Sequence, residues 1–118
     1  MNDMSEESVA YVATPARSYE PIKIHRAPID EYPSEWIEFY DRLPTGRALE
    51  LAEMQRNNMS NERLSFVIVA LLIRAWSLVD DAGAPLAITT ENFFALDMDI
   101  AKAIAMTMKG RASFLARG

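Results

Sequence analysis

The 118-residue chain is 50% hydrophobic and 25% charged, with a formal net charge of −5 and no cysteine. This apolar content excludes a wholly disordered chain, the acidic balance argues against nucleic-acid binding, and the lack of thiols excludes disulfides and thiolate chemistry. A single histidine without cysteine does not provide the usual ligands of a zinc site, so the composition favours a binding or assembly protein over an enzyme.

The sequence carries no targeting or membrane signal. Its N-terminus is acidic and polar, whereas a secretory signal begins with a basic region followed by an apolar run. The most apolar stretch, residues 66–73, ends at Arg74 and is much shorter than the roughly 20 residues that span a bilayer. We therefore expect a soluble chain that does not interact with membranes.

Residues 1–20 show neither helical nor strand periodicity and are predicted to form a flexible tail. Five of the six prolines lie within residues 1–44, so residues 21–44 are predicted to be an extended lead-in to the helices. Residues 21–26 alternate between apolar and polar, and residues 36–40 are rich in aromatics. These two pieces predict a small β-ribbon, with a helical turn at 34–40 as the alternative.

Residues 45–118 are predicted to be helical and to complete a single domain over 21–118. Thr45 is the expected cap of a helix that ends near Arg56, and Ser60 caps a second helix over 62–79. This second segment is apolar on all faces, which predicts that protein surrounds it. A strand at 66–69 is the competing interpretation.

A turn is predicted at 80–85, where Gly83 has a permissive backbone and Pro85 blocks further helix. Thr89 and Thr90 begin a short capped helix, and Asp97 caps a last helix over 98–116. The predicted fold is thus mostly α, a small domain of three to four helices with an irregular N-terminal segment that can form a β-ribbon.

No catalytic, metal or cofactor site is predicted. The neighbouring carboxylates at 80–81 and 97–99 fit a turn and a helix cap, and His25 has no nucleophile motif beside it. No glycine-rich phosphate loop is present. Arg74 interrupts the apolar run and either pairs with a carboxylate or extends its side chain to water, two alternatives that the sequence leaves open.

Apolar helix faces are the candidate partner-binding surface. Methionine is common at adaptable binding surfaces, although ordinary core packing explains the same residues. A chain of this size has difficulty covering both faces of helix 62–79, which leaves a second copy or another protein as the cover. The predicted contact residues are Phe66, Ile73, Met98, Ile104 and Met108.

The segment 71–99 resembles tail assembly chaperones of long-tailed, siphovirus-type bacteriophages. In that family an apolar helix often ends in a Trp-x-Leu/Val-x-Asp-x-x-Gly-x-Pro-Leu turn, followed by a Thr-x-Glu-Asn helix start. The resemblance extends over roughly residues 29–108. The matching residues are Trp76, Asp80, Gly83, Pro85, Leu86, Thr90, Glu91 and Asn92.

The resemblance implies a mostly helical, non-enzymatic protein that binds apolar helices of the tape measure protein before the tail tube polymerises. It implies tape measure protein as the client, tail tube protein as a further candidate, the host cytoplasm as the location, and absence from the mature virion. The matching residues Trp76, Asp80, Gly83 and Pro85 are expected to build a structural turn. A structural head–tail or minor tail protein is the alternative.

Overall fold

The computed structural model describes residues 21–109, and within them it has four helices and a three-stranded antiparallel sheet. The prediction of a mostly helical fold is wrong, because 46% of these residues are helical and 24% are in strands, an α+β fold. The elements in chain order are β1 (Ile24–Ile29), β2 (Tyr32–Tyr40), α1 (Thr45–Gln55), α2 (Asn61–Leu72), β3 (Ile73–Trp76), α3 (Thr90–Ala95) and α4 (Met98–Lys109).

The predicted β-ribbon is confirmed and is longer than expected. β1 and β2 pair as a hairpin, with Ile24 opposite Tyr40 and Ala27 opposite Ile37. The turn is tight because Glu31 adopts a left-handed backbone, with φ of 69°. The alternative helical turn at 34–40 is therefore wrong.

The apolar segment 62–79 does not form one helix. α2 ends at Leu72, and the chain continues directly into β3, which pairs with the other side of β2. Ile37 and Phe39 on β2 are fully buried, and pairing with β3 places Trp76 and Ile73 beside them. This pairing brings together residues far apart in the sequence, so the local pattern that favoured helix does not reveal it.

The change from helix to strand is secured by Arg47 on α1. Its Nη1 donates to the carbonyl oxygens of Leu71 at 2.8 Å and Ile73 at 3.1 Å. The last carbonyls of a helix have no partner within the helix, so a side-chain donor is needed where the surroundings are buried. Arg47 therefore stabilises the junction between α2 and β3.

Three of the four predicted helix caps are confirmed. The side chains of Ser60, Thr89 and Asp97 accept hydrogen bonds from backbone amides three residues later, at 3.2, 2.9 and 3.1 Å. The cap predicted at Thr45 is wrong, because Pro44 occupies the N-cap position of α1 and makes no side-chain bond. The predicted extension of the last helix to residue 116 and the predicted tail at 1–20 lie outside the described residues.

The core lies between one face of the sheet and the helices. α4 packs against β1 and β2 with its buried residues Ile104 and Met108, and α2 contributes Val69 and Leu72. Thr107 is the buried polar residue in this region: its Oγ1 accepts from the amide of Asp30 at 2.8 Å and donates to the carbonyl of Ala103 at 2.8 Å. The helix and the hairpin turn are thereby joined by a part-buried hydrogen bond.

Candidate functional site

An apolar pocket lies where α2, α3 and the first turn of α4 meet. It has a cavity volume of about 360 Å³ and is open to solvent. We refer to it as the Phe66 pocket. Its lining residues are Ser60, Glu62, Arg63, Phe66, Phe93, Phe94, Leu96, Met98 and Ala101.

The floor of the Phe66 pocket is aromatic. Phe93 is 1% exposed and belongs to the core, with its ring centroid 6.2 Å from that of Phe66 and 5.9 Å from that of Phe94. Phe94 remains 36% exposed and Met98 53% exposed. The chain's own core thus supports a surface whose outer side chains are large, apolar and accessible.

A second pocket adjoins the first on the side of α1. It has a cavity volume of about 510 Å³, and we refer to it as the Met59 pocket. Arg63 and Phe94 line both pockets and therefore separate them. The remaining lining residues are Met54, Asn57, Met59, Val67, Thr90 and Glu91. The two pockets lie side by side, and we refer to them together as the α1–α4 groove, with Arg63 and Phe94 between them.

Of the five residues predicted to contact a partner, two lie in this groove. Phe66 is half-buried in its floor, and Met98 is exposed at its edge. Ile73, Ile104 and Met108 are each 0% exposed, because they pack between the sheet and the helices. In this conformation those three side chains are part of the chain's own core and present no surface to a partner.

Sequence reasoning missed Phe94, Arg63 and the Met59 pocket. One signal was available: Phe93 and Phe94 are adjacent on the six-residue helix α3, and consecutive helical residues point about 100° apart, so the two rings cannot be buried equally by one surface. An outward-facing phenylalanine could therefore have been expected. The position of Arg63 could not, because it depends on how α2 and α3 pack.

The residues predicted to build the structural turn do meet around it. The Trp76 indole donates to the carbonyl of Leu86 at 2.7 Å, and the Asp80 side chain accepts from the amides of Ala82 and Ala84, both at 2.9 Å. Gly83 has φ of 83°, a conformation in which a side chain is strained. Pro85 lies beside this loop, in a bridge that pairs it with Val79.

The remaining candidate side chains have structural surroundings. The His25 ring stacks on Phe39 with centroids 5.4 Å apart, and exposed Arg74 pairs with Glu38 of β2 at 2.6 Å. Glu38 also pairs with Arg26, at 3.0 Å. Arg74 therefore pairs with a carboxylate on the sheet surface, which is the first of the two alternatives that the sequence left open.

A third pocket lies at the hairpin turn beside α4. Tyr32 and Met106 line it, and Met106 is 59% exposed. Partial burial raises the pKa of the Tyr32 phenol above its ordinary value of 10.0, and the carboxylates of Asp97, Asp99 and Glu31 raise this pKa further. This pocket has an acidic rim and fewer large apolar side chains than the groove.

Within residues 21–109, no group of three or more His, Cys, Asp or Glu side chains is placed to hold a metal ion. No helix in the same described part of the chain has the length and apolar character needed to cross a bilayer. Comparison with protein families, curated proteins and solved structures finds no match to this chain.

Proposed function

We propose that this protein is a tail assembly chaperone of a long-tailed bacteriophage, which binds apolar helices of the tape measure protein and keeps that protein soluble during tail assembly. The observation that carries the proposal is the α1–α4 groove, because it is open, aromatic and methionine-containing. The sequence resemblance over residues 29–108 supplies the identity of the client. The role is non-enzymatic.

The mechanism differs from the one that the sequence suggested. The segment 62–79 is not an uncovered apolar rod, because residues 73–76 pair with β2 and the buried residues of α2 belong to the core with the sheet and α4. The first half of α2 instead provides one wall of the groove, through Arg63 and Phe66. An amphipathic client helix would place apolar side chains in the two pockets and bury Phe94 and Met98.

The free energy of client binding can be estimated from apolar burial. Complete burial of a leucine-sized side chain contributes about 1.5–3 kcal/mol, so two such side chains provide a useful part of the free energy of binding. The acidic charge of the chain would keep the complex dissolved. We place the protein in the host cytoplasm during assembly, with no nucleic-acid partner and with tail tube protein as a further candidate partner.

The first test is solubility of the client. A tape measure segment expressed with the full chain should stay in the supernatant after centrifugation, whereas the same segment expressed alone should precipitate. Equal precipitation with and without the chain would overturn the proposal. The alternative role, a structural head–tail or minor tail protein, requires the chain to persist in purified virions, where mass spectrometry would detect it.

A matched pair of variants tests the groove itself. Met98→Gln and Met106→Gln make the same exchange on the same helix at similarly exposed positions, 53% and 59%. Met98 lines the groove, whereas Met106 lines the pocket at the hairpin turn. We expect M98Q to weaken client binding about three- to tenfold through lost apolar contact, with no effect of M106Q. Equal effects of the two variants would place the client elsewhere.

A further inference from the structure

The positively charged guanidinium of Arg63 lies on an apolar surface at the centre of the α1–α4 groove. The guanidinium carbon of Arg63 lies 4.6 Å from the ring centroid of Phe94, and both residues line the Phe66 and Met59 pockets. Stacking on a ring orients a guanidinium and leaves the N–H donors at its edge available for a carboxylate. A partner that fills both pockets must therefore pass over Arg63.

Arg63 differs in its partners from Arg26, Arg47 and Arg74. Arg26 and Arg74 share Glu38, and Arg47 donates to two backbone carbonyls. The guanidinium of Arg63 forms no ion pair and no hydrogen bond with any residue in the range 21–109. A partner that covered it would remove its water, and an arginine covered without a carboxylate destabilises the complex.

We infer that the groove selects a helix that carries one Asp or Glu between two apolar side chains, and that Arg63 binds this carboxylate while the apolar side chains occupy the two pockets. This inference rests on the proposed function, since it specifies the chemistry of the client helix. Positions i, i+4 and i+7 of a helix share one face, so a single helical segment can present this set. Glu62 and Glu91, one in each pocket, disfavour a more highly charged anion.

Three synthetic helical peptides test the inference. Each has about 18 residues, long enough to form a helix in isolation, with Leu at i and i+7 and either Glu, Gln or Lys at i+4. Binding to the full chain is measured by fluorescence anisotropy. We expect the Glu peptide to bind about three- to tenfold more tightly than the Gln peptide, the Lys peptide to bind most weakly, and the differences to shrink as salt is raised.

Variants of the chain assign the preference to one residue. Arg63→Gln should remove the difference between the Glu and Gln peptides, Arg63→Lys should keep part of it, and Arg63→Glu should favour the Lys peptide. Lys102→Gln is the matched control, because it removes one exposed positive charge from α4 outside the groove. The Arg63 side chain is exposed on the first turn of α2, so we expect each variant to keep the fold. Urea unfolding of each variant verifies this.

The outcomes separate the two proposals. Equal affinity for the Glu, Gln and Lys peptides would overturn the role of Arg63 and leave the groove as a binding site. A Glu preference that persists in Arg63→Gln would also overturn it, because another group would then recognise the carboxylate. If no peptide binds and the tape measure segment still precipitates, the proposed function fails, and this inference fails with it.

Discussion

Removal of the Arg47 side chain should destabilise the protein more than its position on a solvent-facing helix suggests. Its Nη1 serves two carbonyl oxygens, those of Leu71 and Ile73, which are 3% and 0% exposed as residues. Both residues are buried while the Arg47 side chain covers them. Arg47→Ala would therefore leave two buried acceptors without their donor.

The expected magnitude follows from that geometry. Hydrogen bonds from charged groups contribute about 1.5–3 kcal/mol each, but one nitrogen divides its donors between two acceptors and Arg47 is itself half-buried. Alanine also recovers a few tenths of a kcal/mol in helix propensity. We therefore expect Arg47→Ala to lower the free energy of unfolding by about 2 kcal/mol.

Urea denaturation followed by circular dichroism measures this change as a lower midpoint with an unaltered slope. Amide hydrogen exchange should accelerate in β3, because the junction frays locally. Arg74→Ala is the control, since its ion pair with Glu38 is exposed and should contribute at most about 1 kcal/mol. If Arg47→Ala costs no more than Arg74→Ala, the role assigned to Arg47 at the junction is wrong.

Two further predictions concern the hairpin turn. Thr107→Val keeps the shape of the buried side chain but removes the acceptor of the Asp30 amide. Because this bond is part-buried, we expect the free energy of unfolding in urea to fall by about 0.5–1.5 kcal/mol, and an unchanged midpoint would refute this. The raised pKa of Tyr32 means that the folded state holds the phenol proton more tightly than the unfolded state does. The contribution of this proton to the free energy of unfolding is therefore fully present below pH 10 and is lost as the pH rises through the folded-state pKa. In an absorbance titration at alkaline pH, Tyr32→Phe should remove a phenol that titrates late. The same variant should lose less stability at alkaline pH. An unchanged titration curve would contradict the surroundings assigned to Tyr32.

The parts of the fold that local chemistry decides could be predicted from the sequence. Ser60, Thr89 and Asp97 cap helices because their side chains reach amides within their own turn, and Gly83 allows a backbone that other residues resist. The alternation of apolar and polar residues in β1 is likewise a local pattern. Each of these predictions needed no knowledge of distant residues.

The parts of the fold that depend on contacts between distant residues could not be predicted from the sequence. Residues 73–76 continue an apolar helical pattern, yet they form a strand because β2 offers an open edge and Arg47 satisfies the carbonyls at the junction. Strand pairing also buries Ile73, and the inner face of α4 buries Ile104 and Met108, three of the residues predicted to contact a partner. Apolar periodicity identifies a buried face but does not distinguish the chain's own core from a partner's surface.

The direct passage from α2 into β3 has a mechanical consequence for the groove. No loop separates the helix that carries Arg63 and Phe66 from the strand at the edge of the sheet, so this wall has no hinge at the C-terminal end of α2. Hinge closure requires a few residues that absorb a change in backbone angles, and here those residues are fixed by strand pairing. The groove should therefore act as a preformed template: a client helix must adapt its own conformation to the spacing of the two pockets, and the backbone of α2 should move little when the client binds.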